Sequence, residues 1–162
     1  MLVSSVRDEG TAFAALAAKT FFIVNSEKLT RIPGYYNHQF LVEILQQLQV
    51  EQVWDPQFVS FIKQYYFRPG ELGTLEGVLP GLAALMGRYM IKQPGYEFSR
   101  LNSVQSPTYL MSFEYKGEFS FFRFLVPGDA ADIIEQPGVA HSDDLLYLFF
   151  TGVFDLGNNH LS

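Results

Sequence analysis

His141 stands in the stretch "PGVAHSDDLLYLF" (Pro137–Phe149), behind a Pro-Gly pair and ahead of two aspartates and a dense apolar run. An imidazole changes charge nearer neutral pH than any other unperturbed side chain, so this residue is the first candidate for a general base. Loops at strand ends gather catalytic side chains in α/β proteins, and Gly138 allows a close approach of the backbone there. The same residues also admit a structural histidine ahead of a helix capped by Ser142, Asp143 or Asp144. Glu9 holds a comparable place near the other end of the chain, directly after the apolar "LVSSV" and in the first turn of a helical segment. A helix N-terminus favours a carboxylate by about 0.3–1 kcal/mol, so capping alone accounts for Glu9 or Asp8. The functional reading is an ionised carboxylate that fixes the tautomer of a general-base imidazole and stabilises the imidazolium it becomes.

The other candidates are weaker. His38 lies among polar neighbours beside a helix start and His160 in a polar tail, and both read as surface residues. No His-x-x-x-His or His/Cys cluster offers a metal site, so no metal is expected. "GELGTLEG" lacks the Lys-Ser/Thr of a phosphate loop and follows no clean strand. Nothing in the chain calls for a cofactor.

These residues need elements to carry them. "LVSSV" (Leu2–Val6) reads as a buried strand, and the Ala-rich "TAFAALAAKTFF" as a helix. Phe40, Leu41, Ile44, Leu45 and Leu48 fall at helical spacing, with Asn37 as N-cap. Asp55 as N-cap and Pro56 at the first position open another helix, with Phe58, Phe61, Ile62 and Tyr65 as its apolar face. Further helices are expected within 78–91, with Pro80 near the start, and after Pro94. "TYLMSFEY" (Thr108–Tyr115) reads as a second strand. Residues 116–140 are irregular but rich in aromatics, and "DDLLYLFF" is a last helix or strand. Strand, helices, strand, loop and a final apolar element make an α/β pattern. Two strands alone are a poor free-standing sheet.

The composition narrows the classes. The chain has 162 residues, the length of one domain, and 48% of them are apolar, enough for a packed core. Aromatics at 16% exceed what one small core needs and suggest a partner surface or an aromatic-lined pocket. A net charge of −6 without a Lys/Arg cluster argues against nucleic acid as a partner. The absence of cysteine excludes a disulfide framework and a cysteine nucleophile within the chain. The apolar runs are shorter than the ~20 residues of a membrane-spanning helix, and the opening residues lack the pattern of a signal peptide. The compartment is left open, because a signal peptide upstream would not be visible here.

Acid first and histidine last is the chain order of α/β-hydrolases, in which the nucleophilic serine precedes both. "VSSVRDEGTAF" resembles the acid-bearing segment of the type-B carboxylesterases, the cholinesterase-like α/β-hydrolases. "PTYLMSFEYKGEFSF" is similar to their late core strand and the aromatic segment behind it. "GVAHSDDLLYLF" resembles their catalytic-histidine segment in its insect-esterase form, and "FIKQYYF" fits the helical region between. The resemblance implies a partial α/β-hydrolase fold: a few parallel core strands with a large helical insertion. It implies Glu9 as triad acid and His141 as triad base, with Asp144 as a structural carboxylate beside them. It also implies Phe119, Phe121 and Phe122 at the border of a substrate gorge, although a plain core role suits them as well.

The chain departs from the family pattern in lacking Gly-x-Ser-x-Gly and any Gly-rich oxyanion segment. Residues 1–162 are therefore expected to be a single fragment of the domain, truncated at both ends and inactive alone. In the complete enzyme the partners would be a small-molecule ester and the missing N-terminal half of the same domain. The alternatives are an esterase-like adhesion or binding protein, a fragment of a decayed gene, and a small self-sufficient α/β domain.

Overall fold

A computed structural model describes residues 1–20, 35, 39–117, 119–122, 126 and 138–149. The expected N-cap Asn37, the histidines His38 and His160 that are expected at the surface, and most of the stretch 116–140 lie outside them. Strand β1 (Leu2–Val6) pairs in parallel with β2 (Tyr109–Phe113), Leu2 opposite Tyr109 and Val6 opposite Phe113. Bonds from Tyr109 N–H to the Met1 carbonyl (2.9 Å) and from Arg7 N–H to the Phe113 carbonyl (3.1 Å) extend the ladder at both ends. Parallel pairing puts the C-terminal ends of both strands at one edge, the edge at which Glu9 emerges.

The helices between the strands are α1 (11–20), α2 (Gln39–Gln47), α3 (Pro56–Tyr66), α4 (Leu75–Gly87) and α5 (Gln93–Ser103), and α6 (Asp143–Leu148) follows the His141 loop. The architecture is therefore two parallel strands among helices, an α/β arrangement. None of the described helices is long and apolar enough to cross a membrane.

Helix α1 owes its alanines to packing as much as to propensity. Ala14 and Ala18 face a large apolar cluster with Phe40, Leu41, Ile44, Leu45 and Leu82, whereas Ala12 and Ala15 face a second one with Phe122, Val126 and Ala140. Buried on two sides, the helix has room for little beyond a methyl group. Helix α2 buries Phe40, Leu41, Ile44 and Leu45 as the spacing predicts.

Helix α3 starts as its sequence indicates, with the Asp55 carboxylate accepting the Gln57 N–H at 2.9 Å and Pro56 following. Its buried face matches the expected one in part. Val59 and Ile62 are buried and Phe58 packs partly against the core, whereas Phe61 and Tyr65 are about 60% exposed. Two adjacent apolar stripes satisfy the same 3.6-residue period, and contact with α2 and α4 selects between them.

Helix α4 begins earlier than Pro80 suggests. Thr74 caps it by accepting the Gly77 N–H at 3.1 Å, and Pro80 is inside the helix. The chain then widens into a π-turn at Arg88–Lys92, where the Gln93 N–H bonds the Arg88 carbonyl, and it tightens again as α5. Pro94, which has no N–H to give, follows that turn directly.

The tightest approach in the fold joins α4 to the turn after β1. Measured from Gly87, an added Cβ would meet the Gly10 nitrogen at 2.6 Å and the Glu9 Cβ at 3.3 Å; a Cβ on Gly10 would run into the Ala83 carbonyl. Both glycines let two backbones touch and seat Glu9 against α4. Gly10→Ala is expected to lower stability by about 1–3 kcal/mol, the usual cost of forcing an extra group into a packed site. Urea unfolding of the variant measures this, and an unchanged midpoint would show that the contact yields freely.

Candidate active site

The turn Arg7–Gly10 follows β1 at once, and the Glu9 side chain folds back beneath it. Its Oε1 accepts the Val6 N–H at 2.7 Å and its Oε2 lies 2.6 Å from His141 Nδ1. Glu9 is only 3% exposed, so both oxygens meet donors where water scarcely reaches. A buried carboxylate without such partners would cost several kcal/mol. No described N–H of α1 is bonded by the Glu9 carboxylate, so the capping explanation is not the one the geometry adopts.

His141 comes from the other end of the sequence, 132 residues away. Its loop is fastened by consecutive donors. The Val139 N–H bonds Asp8 Oδ2 at 2.9 Å, the Ala140 N–H bonds Asp143 Oδ2 at 2.8 Å, and the His141 ring bonds Glu9. The Asp8 N–H returns a bond to the Val139 carbonyl at 3.0 Å. Gly138 has φ +73°, and a Cβ there would collide with the Asp8 carboxylate, so no other residue fits that turn. Ser142 also takes a left-handed φ of 71°, which reverses the chain directly after the imidazole.

The imidazole is one-third exposed and tilts against Phe13 at a centroid distance of 5.5 Å. Nδ1 faces Glu9, and Nε2 makes no hydrogen bond with the described residues. The Glu9 hydrogen bond pushes the pKa of His141 above its ordinary 6.5; burial opposes that, and the charges of Glu9 and Asp144 add to it. With Glu9 accepting at Nδ1, the neutral ring carries its proton there and presents a lone pair at Nε2. A group so arranged can take a proton at Nε2 and keep its orientation while it does so.

Of the other residues singled out in the sequence, Asp144 is buried and its Oδ2 accepts the Ser4 hydroxyl proton at 2.7 Å, which ties α6 to β1. Phe119 and Phe121 are half-buried. Phe122 is 2% exposed and packs with Ala12, Ala15, Val126 and Ala140 directly behind the histidine loop. The Tyr147 hydroxyl holds the Phe119 backbone, accepting its N–H at 3.0 Å and donating to its carbonyl at 2.9 Å. Sequence reasoning passed over Asp143 and Asp8 as anchors. Their signal was only proximity to His141 and Glu9, which does not separate an anchor from a helix cap. No cluster of His, Cys, Asp and Glu suited to a metal ion occurs among the described residues.

The raised pKa makes a stability prediction. The fold binds the His141 proton more tightly than the unfolded chain does. That stabilisation is complete below the ordinary 6.5 and disappears as pH rises through the higher folded-state value. Above about pH 6 the ordinary carboxylates are ionised and contribute little slope. The urea midpoint should therefore fall as pH rises from 6.5, and His141→Gln should flatten that fall. A midpoint with the same slope in both proteins would contradict the pairing.

A sequence model of the Carboxylesterase family matches residues 1–160, which include Glu9, His141 and every element described. Comparisons with curated proteins and with solved structures find no match. The family match spans nearly the whole chain and takes in both strand ends and the histidine loop, and the chain belongs to the carboxylesterase family.

Proposed function

We propose that residues 1–162 supply the acid and the base of a Ser–His–Glu triad that hydrolyses carboxylic esters, with the serine carried by sequence outside these residues. The observation that carries this reading is the 2.6 Å contact between Glu9 Oε2 and His141 Nδ1 across 132 residues. The direction of the ring supports it as well, since Nε2 is left without a partner among the described residues while Nδ1 is held.

In this mechanism the serine oxygen attacks the ester carbonyl carbon, the C=O electron pair moves onto oxygen, and the serine proton passes to His141 Nε2. The imidazolium then protonates the alcohol oxygen as the C–O bond breaks, which leaves an acyl-serine. Water gives a proton to Nε2 and attacks the acyl carbon, and return of that proton to the serine oxygen frees the acid. Glu9 keeps the ring in place and balances its transient positive charge without taking the proton. Donors for the oxyanion come from the same outside sequence as the serine. Phe119 and Phe121 border the acyl or alcohol group, and Phe122 supports the loop from behind.

The reading makes the chain one portion of an α/β-hydrolase domain. The exposed apolar surface supports this. Leu2, Tyr109 and Leu110 on the two strands are each more than half exposed, and a wider sheet with its flanking helices would cover them.

The test joins residues 1–162 to an upstream half that bears Gly-x-Ser-x-Gly. The joined protein should hydrolyse p-nitrophenyl acetate, and Glu9→Gln should lower kcat by about ten-thousand-fold, as loss of the orienting acid does in such triads. The chain alone should show no hydrolysis that depends on His141 and is blocked by serine reagents. Such activity in the chain alone would contradict the proposal. An upstream coding sequence in frame with serine replaced would favour the esterase-like binding protein instead.

A further inference from the structure

The proposed triad gives no task to Asp143, yet this residue is 4% exposed and carries the densest hydrogen bonding of any described side chain near His141. Its Oδ1 accepts the Phe121 N–H at 2.7 Å and the Ser120 hydroxyl proton at 2.8 Å, and its Oδ2 accepts the Ala140 N–H at 2.8 Å. The Ser120 oxygen in turn accepts the Phe122 N–H at 3.1 Å. One carboxylate thus holds the peptide before His141 on one oxygen and the aromatic segment 119–122 on the other. Burial holds its pKa above the ordinary carboxylate value; the bonds from Phe121, Ser120 and Ala140 oppose that rise, and the charge of Asp144 adds to it.

A carboxylate whose only task was to cap α6 would bond that helix's own first amides. Two of those amides are served otherwise: the Asp143 N–H bonds the Ala140 carbonyl at 3.0 Å and the Leu145 N–H bonds the Ser142 carbonyl at 3.1 Å. The Asp143 carboxylate instead reaches out of the helix in two directions. Asp8 grips the same loop one residue earlier, at Val139. Asp144, the next residue in sequence, bonds Ser4 and not the loop.

We propose that Asp143 is a positioning residue, whose carboxylate locks the Ala140 peptide to segment 119–122 and so sets the His141 imidazole against Glu9. This rests on the reading of Glu9 and His141 as a functional pair. It also makes the place of the imidazole depend on the place of Phe121, so that whatever displaces the aromatic segment displaces the base.

The proton between His141 Nδ1 and Glu9 Oε2 reports the position directly, since a short charge-assisted bond draws that proton far downfield in the NMR spectrum. The spectrum is recorded on the full 162-residue chain, as wild type, Asp143→Asn and Asp144→Asn. Asparagine keeps the size of the side chain but turns an NH₂ toward either Ala140 or Phe121, where a donor already stands. The expected result is a resonance in the wild type, its loss in Asp143→Asn with a native far-UV circular dichroism spectrum, and its retention in Asp144→Asn. No resonance in the wild type would sink the pairing of Glu9 with His141 and this proposal with it. A resonance retained in a folded Asp143→Asn would leave the pair standing and overturn the proposal alone. If Asp143→Asn does not fold, Ser120→Ala removes one donor from the carboxylate and leaves Asp143 itself in place. A shift of the resonance in that variant supports the proposal, and an unmoved resonance overturns it.

Discussion

A buried carboxylate must find donors, and in this chain one of the two that Glu9 finds is an imidazole from the far end of the sequence. The rest of the described structure follows from keeping that meeting in place. Closing a loop of 132 residues costs on the order of 4 kcal/mol by the logarithmic length term alone. One hydrogen bond to a charged group contributes about 1.5–3 kcal/mol. The pair therefore cannot hold itself together, and the surrounding bonds must close the loop first. The β1–β2 ladder, the reciprocal bonds between Asp8 and Val139, and the Asp144–Ser4 bond do this without touching the imidazole. What is left for the Glu9–His141 bond is orientation, and orientation is what a general base requires.

Close packing sets the other side of the constraint. Helix α4 presses its backbone on the turn that carries Glu9, and glycine at both positions 10 and 87 makes that possible. On the opposite flank, α1 fits between two apolar clusters because its buried positions after Thr11 are alanines. The Glu-Gly pair after β1 is thus a single device: the acid turns inward, and the glycine lets a helix close over it. The histidine loop has its own equivalent in Gly138, which brings the backbone against the Asp8 carboxylate. The geometry of the Glu9–His141 pair depends on backbone approaches that side chains larger than hydrogen would block.

Much of this was legible in the residues. The extent of β1 was readable from its apolar, β-branched run, and α3 from Asp55 and Pro56, because such local signals act over a few residues; the expected burial of β1 holds only for Val6, with Leu2 exposed. The face of α3 was readable only in part: Phe58 and Ile62 turn to the core as their spacing indicates, but Phe61 and Tyr65 share that spacing and are exposed while Val59 is buried, and only packing distinguishes them. The start of α4 lies before the one Pro80 indicates, because a proline marks a first turn by its fixed φ while the cap here is the Thr74 hydroxyl. At the site, residue type and family resemblance pointed to Glu9 and His141, but their meeting is a long-range fact that no local pattern contains. Asp143 was hidden for a related reason: an aspartate at the start of a helix reads as a cap, and only its distant bonds to Phe121 and Ala140 show otherwise.

The central claim is that Glu9 fixes the tautomer and raises the proton affinity of His141. A ¹⁵N-detected titration of the His141 ring measures both quantities at once. The neutral ring should carry its proton on Nδ1, and its midpoint should lie above the ordinary 6.5 and fall in Glu9→Gln. A neutral ring protonated on Nε2, with a midpoint at or below that value and unmoved in Glu9→Gln, would contradict the account.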